Sequence, residues 1–370
     1  MAKGVYFGVG EKARKVKKLY FGVGDKSRKV KKMYFGVDGK ARICYSAGIS
    51  KNPTILTTSK GMLGRPEDND GCATVGNYVL VGSISTMDTI SKALVRGSAT
   101  PLNSLRVRIA SASSSNYAFF AGGRSYENPN LYSPFVEYYD SSLTRAYTKK
   151  PLSNARAGIG SGVIGDNVVF AGGFTEYNRY PNIDIYDSGL NLNTKDLPFQ
   201  AYYLIGLNIG NFLLFAHGYD SNQAATELKY AYLAADLTVS QTGYVNTRKP
   251  VSTEYSSGAS NSNYAIYQAG NYMDVFTPSL TYTELTNFPL NIRNVVGLST
   301  NDYAVFAGGS QGSVKQSKVY TYDKNLVLDT LDDLSEARGS MLSAKLGDYG
   351  FFIGGYRSGG HHTTIDIYDL

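Results

Sequence analysis

The chain has 370 residues, with 40 Gly, 31 Tyr and no Trp; that is enough for one large closed domain plus an appendage, and suits a β protein with many tight turns. Its net charge of +7 is uneven: residues 1–43 hold ten Lys and three Arg against Glu11, Asp25 and Asp38, leaving 24 basic and 27 acidic residues elsewhere. Two cysteines, Cys44 and Cys72, exclude a disulfide scaffold, no stretch nears the roughly 18 apolar residues of a membrane span, and no signal-peptide h-region follows Met1.

The first 48 residues read as a basic arm with a 14-residue period. Val5-Tyr6-Phe7-Gly8-Val9 recurs as Leu19-Tyr20-Phe21-Gly22-Val23 and as Met33-Tyr34-Phe35-Gly36-Val37. The dipeptides that follow, Gly10-Glu11, Gly24-Asp25 and Asp38-Gly39, suit two-residue hairpin turns, so the spacing predicts a meander of hairpins. Across the second turn Val23 should face Lys26, Arg28 should face Phe21, Val30 should face Leu19, and Lys32 should face Lys17. So small and charged an arm needs a surface to lie on. Tyr6, Phe7, Tyr20, Phe21, Tyr34 and Phe35 are its candidate attachment residues. A protein partner is the leading expectation for it; nucleic acid is the rival, because interleaved Lys, Arg and aromatics can track phosphates.

From about residue 46 the period changes. An apolar run ending in small residues recurs as Tyr78-Val79-Leu80-Val81-Gly82, Ala118-Phe119-Phe120-Ala121-Gly122-Gly123, Val168-Val169-Phe170-Ala171-Gly172-Gly173 and four later copies. The closing glycines stand at 82, 123, 173, 218, 270, 309 and 355, at intervals of 39 to 52 residues, which is blade spacing for a β-propeller. A Tyr-Asp strand follows in Asn182–Asp187, Lys318–Asp323 and Thr364–Asp369. Leu152-Ser153-Asn154-Ala155-Arg156 and Leu334-Ser335-Glu336-Ala337-Arg338 precede their Gly pairs at one distance, which Arg106 shares. The unclaimed strand-like segment near 53–58 is expected to complete the seventh blade and close the ring. The glycines are expected where blades converge and backbone meets backbone.

This order of elements resembles the kelch repeat, over roughly residues 46–370. The fold expected is therefore all-β: a seven-bladed kelch-like propeller (49–370) preceded by a short β-hairpin repeat arm (1–48). The sequence departs from the family in having no Trp in any blade.

No catalytic set stands out. His217 replaces the first Gly of its pair, and His361-His362 are adjacent and would point apart on a strand, so no metal site and no cofactor are expected. Galactose oxidase is a kelch-type enzyme, but Cys44 and Cys72 have no His near them in sequence for such a copper site. An enzyme is therefore not expected; a carbohydrate-active one is the weakest of three readings. Binding is expected instead at Tyr- and Arg-rich loops after the Gly pairs: Arg124, Tyr126 and Tyr132; Tyr177, Arg179 and Tyr180; Tyr219; and Tyr356 with Arg357.

The arm's units, ending in Arg42-Ile43-Cys44-Tyr45-Ser46-Ala47-Gly48, resemble segments of tail-associated proteins of phages and prophages of Gram-positive bacteria. That resemblance implies a virion structural protein of tail, fibre, baseplate or decoration type, assembled in the host cytoplasm. Its partners would be other tail or capsid proteins through residues 1–48 and a host-surface glycan or protein through the propeller loops. A homo-oligomer is expected, and neither nucleic-acid binding nor membrane insertion is. The alternative is an intracellular kelch adaptor with an anion-binding arm.

Overall fold

The structure, a computed structural model, describes residues 71–82, 85–216, 218–220, 228–246, 257–286, 288–289, 291–357, 359–361 and 363–370, and the strand backbone of 6–9, 12–15, 20–23, 26–29, 32–37, 40–46 and 54–56. All regular elements among these residues are strands. Among the described residues no helix is long and apolar enough to cross a membrane. The chain divides into two compact units, Met1–Ser50 (with Leu370) and Lys51–Asp369.

In the first unit, three strand pairs share one register, with Val9, Val23 and Val37 opposite Lys12, Lys26 and Lys40. Phe21 faces Arg28. Lys32 pairs with Ser46; Lys17, Leu19 and Val30, and with them the expected Lys32–Lys17 and Val30–Leu19 pairs, lie outside the described residues. Among the described residues each pair forms its own two-stranded sheet.

The second unit is a seven-bladed propeller of four-stranded antiparallel sheets. In chain order the blades span 71–99, 110–147, 160–196, 205–246, 257–285, 296–331 and 342–369, here blades 1 to 7. Their innermost strands touch in ring order, and that of blade 7, Leu342–Leu346, reaches back to Gly71–Val75 of blade 1. The outer strand of blade 7 is Thr54–Leu56, which pairs Thr54, Ile55 and Leu56 with Ile367, Asp366 and Ile365.

Within each blade, sequence composition follows depth. Second strands such as Asn167–Ala171 and Phe212–Ala216 are apolar runs buried on both faces. Outer strands such as Leu192–Asp196 are largely exposed and polar. Innermost strands are rich in Gly, Ser and Ala because neighbouring blades crowd there. A Cβ on Gly206 would strike the Ser161 carbonyl, and one on Gly297 the Gly258 carbonyl. Serine hydroxyls stitch these strands: Ser161 Oγ donates to the Ser111 carbonyl, and Ser343 Oγ to that of Gly297, each at 2.7 Å. Apolar clusters fill the space between adjacent blades, such as Val169, Ile183 and Ile185 of blade 3 against Leu213, Phe215 and Leu233 of blade 4.

The Gly-Gly pairs sit elsewhere than expected. They do not make the innermost approach; those of blades 2, 3 and 6 abut the leading segment of the next blade. Gly172 and Gly173 adopt φ of 66° and 114°, a Cβ on Gly172 would meet the Ala201 carbonyl, and Gly173 N–H donates to that carbonyl at 2.8 Å. The pair therefore turns the chain out of the sheet and fastens one blade to the next.

The recurring Arg is a buried staple. Arg156 is fully buried; its Nε donates to the Gly172 carbonyl at 2.7 Å and its Nη2 to Asp184 at 2.8 Å. Arg338 repeats this with Gly354 at 2.8 Å and Asp366 at 2.9 Å. Arg106 reaches the Gly122 carbonyl at 2.8 Å and pairs with Glu137. The same carboxylates accept backbone N–H groups of the leading segments, from Ser153 at 3.0 Å and Ser335 at 3.1 Å. Position by position, blade 6 has Ile292 and Tyr320 where Arg156 and Asp184 stand, and blade 4 has Ala201 and Ala231; all four are buried.

Turns between third and fourth strands carry a second, less visible repeat. Leu94, Leu143, Leu190, Leu237, Leu280 and Leu326 all have φ between 58° and 64°. Each packs on an inter-blade cluster. The left-handed conformation costs roughly 1 kcal/mol for a side chain of this kind, which the apolar contact offsets.

Candidate functional site

Topology selects one rim. Strands alternate in direction, so each loop from second to third strand emerges beside the leading segment of its own blade. Those loops are long in blades 2, 3, 4, 6 and 7, and short in blades 1 and 5, where Gly82 is followed by Met87 and Ala269 by Tyr272. Short ladders tie the long ones down: Arg106–Val107 pairs with Arg124–Ser125, Ala201–Tyr202 with Tyr219–Asp220, and Ala157 bridges Phe174. This rim is therefore a set of backbone-anchored loops on a rigid ring.

Over blades 2 to 4 the anchored loops bring together aromatics and guanidinium groups. Phe174 meets Tyr202 at 4.9 Å, Tyr203 at 5.5 Å and Tyr132 at 6.1 Å between ring centres. The Arg179 guanidinium lies 4.6 Å from the Tyr202 ring centre and 5.4 Å from that of Phe174. Arg108 stands 5.6 Å from both Phe174 and Tyr203. Arg179 Nη1 also donates to the carbonyls of Thr175 at 2.8 Å and Asn178 at 3.2 Å. Both cations are thus held against ring faces, where they stiffen the cluster.

Beside it lies a cleft of about 370 Å³ lined by Asn130, Tyr132, Ala155, Thr175, Glu176, Tyr177 and Tyr180. Tyr177 is 84% exposed. An aromatic presented so openly offers a stacking face.

Of the sequence-derived candidates, Tyr132, Tyr177 and Tyr180 share this cleft. Arg179 belongs to the adjoining cluster. Arg124 bridges Tyr132 through the backbone, and Tyr126 is exposed on the same loop. Tyr219 pairs with Tyr202 through the backbone. Tyr356 and Arg357 are on blade 7, where Lys315 sits 5.2 Å from the Tyr356 ring centre and Arg357 bonds Glu336 at 3.1 Å. Sequence reasoning missed Phe174, Tyr202, Tyr203 and Arg108. The Tyr-Tyr doublet and the Phe directly after Gly172-Gly173 were the available signals.

A second hollow of about 440 Å³ is lined by Phe135, Tyr147, Lys149 and Pro151 among others. Burial first, then Glu137, raises the Tyr147 hydroxyl above its ordinary value. Cys72 is a free thiol that burial pushes up to about 12. The Cys44 side chain, the His217 and His362 residues, and the side chains of the arm aromatics lie outside the described residues. Among the described residues no group of three His, Cys, Asp or Glu is arranged to hold a metal ion. No family model matches the chain, and no curated protein matches it.

Proposed function

We propose that this chain is a binding protein of a phage particle: a tail, fibre, baseplate or decoration component that mounts through residues 1–48 and presents a kelch-like propeller to a host-surface glycan or protein. The observation that carries the binding half is the anchored rim over blades 2 to 4, where Phe174, Tyr202 and Tyr203 are braced by Arg108 and Arg179 beside the exposed Tyr177. Tyr and Arg on a rigid frame are the side chains that give affinity at low ordering cost. The virion half rests on the 14-residue arm units and their concentrated positive charge. The kelch-like reading rests on the order of Leu-x-x-Ala-Arg, apolar strand, Gly-Gly and Tyr-Asp strand.

Electron microscopy of particles from the source organism, with this protein tagged, tests the proposal. Tag density on the particle, with binding of the purified full chain to host cells, is the expected result. A tag absent from particles, together with salt-sensitive DNA binding by residues 1–43, would favour the adaptor instead.

A further inference from the structure

We infer that the cleft between the blade 2 and blade 3 rim loops takes a neutral saccharide, with Tyr177 as its stacking face and the Glu176 carboxylate as acceptor for sugar hydroxyls. The inference rests on the host-binding reading above and narrows its ligand. A sugar ring presents an apolar C–H face and a rim of hydroxyl donors. The lining supplies both complements: the rings of Tyr132, Tyr177 and Tyr180, and the polar groups of Asn130, Thr175 and Glu176. Its volume, about 370 Å³, falls at the small-ligand end of binding clefts.

Charge decides between neutral and anionic glycans. Among the described residues Glu176 is the one charged residue of the lining. The two cations of the adjoining aromatic cluster are already engaged: Arg179 donates to the Thr175 and Asn178 carbonyls and lies over Tyr202, while Arg108 lies over Phe174 and Tyr203. A phosphate, sulfate or uronate would meet a carboxylate and, among the described lining residues, no cation. Beyond residue 43 the chain also holds more acidic than basic residues, 27 against 24. The loop is positioned in advance, because Phe174 exchanges backbone hydrogen bonds with Ala157 at 2.9 and 3.0 Å.

The full chain should be applied to an array of neutral hexoses and N-acetylhexosamines, printed beside phosphorylated, sulfated and uronic acid counterparts and glycerol-phosphate teichoic acid. Binding is expected on neutral saccharides, undiminished in 0.5 M salt by roughly the insensitivity of an uncharged ligand. Tyr177→Ala should weaken it about tenfold, and Glu176→Gln about threefold. Val327→Ser, on the opposite rim, should leave it unchanged, and unchanged melting temperatures would show all three variants folded. Binding confined to anionic spots overturns the inference and leaves host binding standing. So does binding to intact host cells that protease treatment abolishes. Failure to bind either the array or host cells overturns both readings.

Discussion

Blades 3 and 6 share a backbone plan and solve its central problem differently. In blade 3 the leading segment is held by Arg156 between the Gly172 carbonyl and Asp184. In blade 6 the corresponding positions are Ile292 and Tyr320, packed with Phe288 in an apolar cluster. Blade 4 goes further, with Ala201 and Ala231. Across these blades the Arg and the carboxylate are present together or replaced together. A lone buried charge is far costlier than either complete solution, and an apolar pair can replace a buried ion pair with little loss. The Arg that the sequence repeats is thus a scaffold residue, and the rim is left to other side chains.

The largest effect should come from breaking the blade 3 solution in half. Arg156→Ala leaves Asp184 buried without its cation and should cost about 3–5 kcal/mol, read as a lower urea midpoint and melting temperature. Grafting the blade 6 solution, Arg156→Ile with Asp184→Tyr, should recover at least half of that loss. A double variant no better than the single one would mean the two sites are not exchangeable.

A smaller contrast lies in the third-strand tyrosines. Tyr186 of blade 3 donates its hydroxyl to the Lys150 carbonyl at 3.1 Å, whereas the Tyr322 hydroxyl of blade 6 is buried with no partner among the described residues. Burial raises both hydroxyls above their ordinary values. Tyr186→Phe should cost about 1 kcal/mol, and Tyr322→Phe should be neutral or slightly stabilising in the same melts. Equal losses at the two sites would erase the distinction.

The smallest effect is a pH dependence in the turns. Asp187 is held below its ordinary value by hydrogen bonds from Asn191, first from the side chain and then from the backbone. A carboxylate with a lowered value contributes stability above its ordinary value near 3.8, and that contribution is lost as pH falls. In blade 5 the Thr277 hydroxyl caps the equivalent turn, accepting from Thr281 N–H at 3.2 Å. Asp187→Thr should therefore flatten the loss of melting temperature below about pH 4, with little change at pH 7. An unchanged acid limb would place that sensitivity elsewhere.

The ring was legible because its signals are local: a Gly spacing, an apolar run of two-sided burial, and a Tyr-Asp strand recur in the chain itself. The role of the Arg was not, since Arg156 and Asp184 lie 28 residues apart and only the fold brings them together. Leu190 and its five counterparts were invisible for a different reason. Leucine is the ordinary choice for an apolar site, and nothing in its identity announces a positive φ. The rim aromatics were half legible. Tyr177 and Tyr180 stand in one Tyr-rich loop, but Arg108, Phe174 and Tyr202 come from three blades and meet only through the ladders that tie loops to leading segments.

The pairing of Thr54–Leu56 with Ile365–Asp369 also sets a timetable. A ribosome extends a chain at about 5–20 residues per second, so the first of these partners waits on the order of 15–60 seconds for the second. Six blades have all four strands in hand during that interval, and the seventh cannot be finished until its last strand emerges. Speed of completion is thereby tied to translation, and a stalled ribosome would leave a nascent horseshoe with an unsatisfied flank for chaperones to shield.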